Sequence, residues 1–382
     1  MARVEKRLRN GHVRWYARYR APDGSQKSKT FSRRVDAERY LTGVESTKLT
    51  GTYIDPARAR LTIGAWAASW LDGQAHLKPS TAERYAGILR EHVLPRWADV
   101  ALADVSHAEV QAWVAALSKA SAPATVRKVH RVLSLILALA VKDGRLVRNV
   151  AEGISLPRVV AGEHRYLTHA QVHELAAACG PEYRMMVLFL SYTGVRFGEM
   201  AALRGGRVDF LRRRALVAES VTPVKGVMTW GTTKGHERRE VPIPPFLVEE
   251  LSVHVAGKAR DELVFVGVRG AVMRAQTFQR AAMTEAATEI GEPGLHPHEL
   301  RHTAASLAIA AGADVKVVQQ MLGHKSGVMT IDLYGHLFGD RLDVVADALD
   351  AAVRAAGVYP MCTRAEIQDF ARPAAGQKVG PD

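Results

Sequence analysis

Between Leu167 and Phe338 the side chains able to do chemistry are concentrated in four short stretches. The first is Thr193-Gly194-Val195-Arg196-Phe197-Gly198-Glu199-Met200. An apolar helix over 183–190 runs into it, Thr193-Gly194 breaks that helix, and Arg196 opens the next. A forked cation beside free backbone N–H groups suits a phosphate, although an arginine there equally serves a surface ion pair. In the second stretch, Trp230 to Pro244, strand-like pieces over 215–221 and 239–243 flank a Gly-rich middle. That places Lys234 at or near a hairpin tip. From there it can swing a proton donor onto a leaving oxygen, or be an ordinary solvated lysine.

The third stretch is His296-Pro297-His298-Glu299-Leu300-Arg301-His302-Thr303. Pro297 fits a helix start, so His298 and Arg301 are neighbours on one face at i and i+3 and can offer two donors to one phosphate. Arg301 could instead pair with Glu299 or Glu285. A zinc site from His296, His298 and His302 is disfavoured, because no Cys or carboxylate stands at metal-site spacing and a cation lies among the histidines. The fourth stretch is Met321-Leu322-Gly323-His324-Lys325-Ser326-Gly327, followed at the end of the next helix by Tyr334. Gly323 ends one helix and Ser326 caps the next. A tyrosine at such a helix end is usually a packing residue.

The elements that must position these residues are preceded by two further regions. Residues 1–60 hold 15 Lys/Arg against 6 Asp/Glu, so most of the formal net charge of +13 on 382 residues sits at the N-terminus. That asymmetry points to a module built for phosphate contacts. His12 to Arg20 alternates as a strand, Pro22-Asp23-Gly24-Ser25 is a turn, Gln26 to Phe31 is the returning strand, and a helix follows over 35–50. Arg14, Arg18 and Arg20 lie along the first strand, and the major groove of DNA admits such a ribbon. From Leu61 to about Val147 the chain is helical. Its start signals are Thr62, Pro79-Ser80-Thr81, a Ser106/Glu109 capping box, and Pro123 before a helix to Val141. Lys78, Arg84 and Lys128 in this region are either DNA-facing or solvated. Residues 156–165 read as a linker, and the tail after about Val358 as disordered.

The longest apolar run, Val132 to Val141, is about half the ~20 residues that span a bilayer, so a membrane partner is not expected. No apolar signal core follows the basic N-terminus. Two cysteines far apart, Cys179 and Cys362, suit a reducing cytoplasm. No Walker-type loop and no carboxylate cluster is present.

Taken together and in order, T-G-V-R-F-G-E-M, T-K-G-H-E-R-R-E-V-P-I, H-E-L-R-H-T, and L-G-H-K-S with Tyr334 ten residues after His324 resemble the catalytic domain of the tyrosine recombinases of phage-integrase type. Leu203-Arg204-Gly205-Gly206-Arg207 departs from the family, where a Trp and an Asp often follow the Leu. The resemblance implies a multidomain α+β chain. Residues 1–55 form a small β-sheet plus helix that binds arm sites, and 62–147 an all-α core-binding domain. Residues 165–345 form a mostly α catalytic domain with a small antiparallel sheet, and 346–382 a C-terminal helix and tail. It implies catalysis by Arg196, Lys234, His298, Arg301, His324 and Tyr334 through a 3′-phosphotyrosine link, with no cofactor and no metal. Its partners are double-stranded DNA at core and arm attachment sites, a homotetramer assembled on DNA, and accessory bending and directionality proteins. The helix over 341–353, with Leu342, Val345 and Leu349, is implied to dock on a neighbouring protomer. A DNA-binding regulator without chemistry, a type IB topoisomerase and a chromosome-dimer resolvase are the competing readings. The first leaves the six ordered residues unexplained, and the arm-like module argues against the other two.

Overall fold

The computed structural model describes residues 2–357 apart from 10, 11, 52, 161, 163, 234–237, 268, 269 and 339–341. They divide into two compact units, residues 1–163 with 223–229 and residues 164–222 with 230–357.

The first unit opens with an antiparallel meander of β1 (Arg3–Arg9), β2 (His12–Arg20) and β3 (Gln26–Phe31). The sequence reading has only the last two strands. β1 escapes it because Arg-Val-Glu-Lys-Arg-Leu-Arg holds just two apolar residues, as an edge strand can. It pairs with β2 from Arg3 opposite Arg18 to Arg9 opposite His12. Ala17 and Tyr19 of β2 are buried against Ala37, Leu41 and Val44 of α1 (Arg34–Leu49). Period-two geometry then sends Arg14, Arg18 and Arg20 to the opposite face.

After α2 (Pro56–Ala59) comes a helical bundle: α3 (Ile63–Asp72), α4 (Pro79–Ile88), α5 (Leu94–Trp97), α6 (His107–Ala120) and α7 (Pro123–Lys142). Thr62 caps α3, and the Ser106/Glu109 capping box opens α6. The apolar half of α7 is core: Leu133, Ile136 and Leu137 are buried with Trp66, Trp70, Trp97 and Trp113. Trp66 Nε1 donates to Ile136 O at 3.0 Å, which satisfies a polar atom that burial would otherwise leave costly. Ala151 and Ile154 belong to this core. Among the described residues no helix is long and apolar enough to cross a membrane.

From residue 164 onward the chain runs α8 (His169–Ala178), α9 (Pro181–Thr193), α10 (Phe197–Met200), β4 (Val208–Asp209), β5 (Arg214–Val217), β6 (Glu219–Val224), β7 (Val227–Thr232), β8 (Arg239–Pro242), α11 (Pro245–Val255), α12 (Ala275–Phe278), α13 (Thr284–Glu289), α14 (Glu299–Ala310), α15 (Val315–Leu322), α16 (Gly327–Tyr334) and α17 (Leu342–Ala355). α9 is buried from Met185 to Ser191 and packs on α8, α11 and α14. A second cluster gathers Ala305, Ile309, Val318, Leu322 and Tyr334. The antiparallel sheet has the order β4-β5-β8, and β6 and β7 pair apart from it. The strand-like piece over 215–221 is therefore two strands in two sheets. A turn at Lys225-Gly226, both at positive φ, makes a hairpin that the sequence reading missed. Lys234 lies outside the described residues, as does the tail from 358.

Candidate active site

Arg301, in the first turn of α14, is buried, and its guanidinium ties two distant turns together. Nη1 donates to Gly194 O at 2.5 Å and Nη2 to Leu322 O at 2.6 Å. Each acceptor is two residues from another candidate: Gly194 precedes Arg196, and Leu322 precedes His324. Gly194 and Gly323 are the left-handed ends of α9 and α15, at φ +65 and +64. A Cβ on Gly194 would meet Leu322 Cδ2 at 2.8 Å, and one on Gly323 would meet Arg239 Cδ at 2.9 Å. Only glycine satisfies both the backbone angle and the close approach. Among the described residues neither Glu299 nor Glu285 forms an ion pair with Arg301. Glu299 accepts from His296 N at 2.9 Å instead.

Arg196 is the N-cap of α10, three residues before Glu199, whose side chain is wholly buried. Arg196 N and Nη1 both donate to that carboxylate at 2.9 Å. Arg239, the first residue of β8, donates to the same carboxylate from Nη1 at 3.1 Å and Nη2 at 2.6 Å, and from Nε to Met321 O at 3.1 Å. Burial works against ionisation of Glu199, but Arg239 and then Arg196 outweigh it and hold its carboxyl below the usual range. Burial, then the neighbouring Arg196, push the Arg301 guanidinium down from its ordinary value, while Glu199 acts the other way.

A cavity of about 520 Å³ opens on this cluster, lined among others by Arg196, Arg239, Lys316, His324 and Lys325 against one carboxylate, Glu240. Cations around a recess that size suit an anion with partly delocalised charge. His324 Nδ1 hydrogen-bonds Thr330 Oγ1 at 2.9 Å. Burial, then Arg301, Arg196 and Arg239, push His324 down to about 4, so it is neutral at physiological pH. His298 is the N-cap of α14, and its ring stands edge-on to His302 at 5.2 Å. Among the described residues no three His, Cys, Asp or Glu side chains form a metal-holding group.

Tyr334 ends α16 and is 1% exposed. Its hydroxyl is 2.8 Å from His302 Nδ1, and its ring lies parallel to His324 at 6.4 Å. Burial pushes the phenol up to about 12, with Arg301 pulling it back in part. Arg196, Arg301, His298, His324 and Tyr334 are thus linked through a few shared contacts, while Lys234 falls outside the described residues. Glu199, Arg239 and His302 take part in the same network, and the sequence reading assigned them no role. Glu199 signals itself only by its spacing from Arg196, and Arg239 only by opening a strand.

The remaining candidates are elsewhere. Arg14 and Arg20 are exposed on β2, and Arg18 pairs with Glu5 of β1 at 3.3 Å. Arg3 and Arg7 of β1 stand opposite Arg18 and Arg14, which puts them on the same face of the sheet as Arg14, Arg18 and Arg20. Lys78 is the N-cap of α4, Arg84 is exposed on α4, and Lys128 is exposed on α7.

Comparison with known proteins agrees with this architecture. The phage integrase central domain model matches residues 63–155, and the phage integrase family model residues 165–340. The tyrosine recombinase XerC of Corynebacterium efficiens is 30% identical over 245 residues, covering 61% of this chain and 74% of that protein. The integrase of Mycobacterium phage L5 is 24% identical over 337 residues, covering 84% and 89%. A lambda integrase tetramer bound to a Holliday junction shares the fold, with TM-score 0.56 and 18% identity over 84% of this chain and 96% of that one. The chain belongs to the phage integrase family of tyrosine recombinases and is a site-specific recombinase. The expected family and α+β fold class are borne out.

Proposed function

We propose that this recombinase integrates or excises phage or mobile-element DNA through a covalent bond between Tyr334 and a DNA 3′-phosphate. Arg196 and Arg301 neutralise the non-bridging oxygens of the scissile phosphate, and His298 and His324 add hydrogen bonds. Tyr334 Oη forms a bond to phosphorus as the bond to the 5′-oxygen breaks, and Lys234 protonates that oxygen. A 5′-hydroxyl of the partner duplex reverses the step. The energy of the phosphodiester is kept in the tyrosine link, so the reaction needs no ATP.

In this reading residues 1–55 hold arm sites through Arg14, Arg18 and Arg20. Residues 62–147 grip the core site with help from Lys78, Arg84 and Lys128, residues 165–345 do the chemistry, and 346–382 reach a neighbour. The working assembly is a homotetramer on two duplexes, as lambda integrase forms on a Holliday junction. It acts in the cytoplasm with bending and directionality proteins. Exposed Val345 and Leu349 on α17 support a docking role for that helix.

One observation carries the assignment: the buried Arg301 fixes the turns that bear Arg196 and His324. The test is a nicked suicide duplex carrying a core site that wild type cleaves. Wild type forms a covalent protein–DNA band without Mg²⁺, and Tyr334→Phe binds the duplex but forms none. A band from Tyr334→Phe would sink the nucleophile assignment. Binding by wild type without a band, on any attachment site that supports recombination in cells, would sink the covalent mechanism.

A further inference from the structure

One side chain outside the proposed catalytic set touches the Tyr334 hydroxyl. His302 follows Arg301 on α14 and is buried, with Nδ1 2.8 Å from Tyr334 Oη. Its ring is held on several sides. His164 stacks on it at 4.2 Å and 25°, His298 meets it edge-on at 5.2 Å, and the Tyr334 ring is 5.7 Å away. The titratable and charged groups acting on it are His164 from the segment before α8, His296 and His298 at the start of α14, and Arg301 on α14. Tyr334 itself is acted on by Arg301 and Tyr166. His324, the other imidazole beside Tyr334, has Nδ1 engaged by Thr330 and lies ring-parallel to the phenol.

We propose that His302 is a further catalytic residue, accepting the Tyr334 proton through Nδ1 as Oη attacks phosphorus. The inference rests on the reading of Tyr334 as the nucleophile. The Oη–H electrons become the Oη–P bond, the proton passes to Nδ1, and the pair of the broken P–O5′ bond stays on the 5′-oxygen, which takes its proton from Lys234. On rejoining, His302 returns the proton to Oη. Nothing is oxidised or reduced.

The two resting acidities say when the proton moves. Burial pushes Tyr334 up to about 12, and burial followed by the neighbouring histidines and Arg301 pushes His302 down to about 4. In the absence of a phosphate the proton therefore stays on the phenol, and neutral His302 offers Nδ1 as its acceptor. As Oη bonds to phosphorus the oxygen loses its hold on the proton, and phosphate charge beside Arg301 favours the imidazolium. Proton transfer is coupled to attack and does not precede it.

Single-turnover cleavage of the suicide duplex tests this between pH 7.5 and 9, above the ordinary histidine range. His302→Asn puts a hydrogen-bonding but non-basic amide near the Nδ1 position. We expect it to bind DNA like wild type but to form the covalent link about 10²-fold more slowly, the scale of general-base catalysis. Its rate should climb about tenfold per pH unit as free phenolate takes over, while the wild-type rate stays flat. In His302→Ala, added imidazole should restore at least a tenfold share. Cleavage by His302→Asn within threefold of wild type overturns the proposal. So does a slow His302→Asn with a flat profile together with no imidazole rescue, since that marks packing alone. Tyr334→Phe separates the two failures: silent Tyr334→Phe beside fast His302→Asn removes only the role of His302, whereas a band from Tyr334→Phe removes the nucleophile and this inference with it.

Discussion

Arg239 Nη2 lies 2.6 Å from Glu199 Oε2, and this pair joins the strand that follows the Lys234 segment to the helix that Arg196 caps. The carboxylate is wholly buried and the arginine nearly so. Removing Arg239 leaves the buried carboxylate to Arg196 alone, removing Glu199 takes the carboxylate from both arginines, and breaking a buried pair costs up to about 3–5 kcal/mol. Arg239→Met and Glu199→Gln should each lower the urea unfolding free energy by that order. The double variant should lose less than the sum, because its members share one network. An Arg239→Met chain unfolding at the wild-type urea midpoint would show the pair to be idle.

Acid should weaken the fold earlier than its carboxylates alone require. His302 and His324 sit at about 4 in the folded chain against an ordinary value near 6.5. Between those values the unfolded chain binds more protons, so stability is full above pH 6.5 and is lost as pH falls toward 4. Glu199, held low by its arginines, adds to the loss at the acid end. The urea midpoint should be level from pH 8 to 7 and fall from 6.5 to 4. Replacing both histidines with Asn should flatten that window, and an unchanged slope would contradict their neutral burial.

Arg301→Lys should keep the charge and lose the site. One ammonium cannot serve Gly194 O and Leu322 O together in the geometry of a planar fork. An abandoned buried carbonyl costs about 1–3 kcal/mol. Covalent-band formation should drop at least about 100-fold, on the scale seen when one transition-state donor is removed, while duplex binding persists. Wild-type cleavage by this variant would mean that charge alone suffices.

Gly323→Ala combines strain with collision. A left-handed alanine costs about 1–2 kcal/mol, and its methyl would sit against Arg239 Cδ. Both thermal stability and cleavage should fall, because the displaced arginine is the one that holds Glu199. A variant melting with wild type and cleaving normally would show that Arg239 yields freely.

On the N-terminal sheet, Arg14→Ala with Arg20→Ala removes two exposed cations. The slope of log affinity against log salt for arm-site DNA should shrink by about two, close to 0.9 per lost phosphate contact. Urea unfolding should not change. An unaltered slope would place the DNA on another face.

Much of this was legible because the local signals are strong. Thr62, Ser106, Gly323 and Ser326 act on the backbone next to them, so their caps and helix ends are written in neighbouring residues. The long apolar half of α7 could only be core. What escaped depends on partners far along the chain. β1 has too few apolar residues to show alternation. The β6–β7 hairpin interrupts what reads as one strand. His302 acquires its place only because α16 returns Tyr334 to α14, and Arg239 only because β8 passes beside Glu199. Neither juxtaposition has a local pattern.

The two carbonyl bonds of Arg301 also bear on how the site comes apart. The turn around Gly194 and the turn around Leu322 share one buried anchor, so neither can open while the other stays closed without stranding a polar group. The centre should behave as one cooperative unit in amide hydrogen exchange, with matched protection near residues 194–196 and 322–324. A mutation in either turn is then felt in both, and damage to the centre should spread through it as a whole.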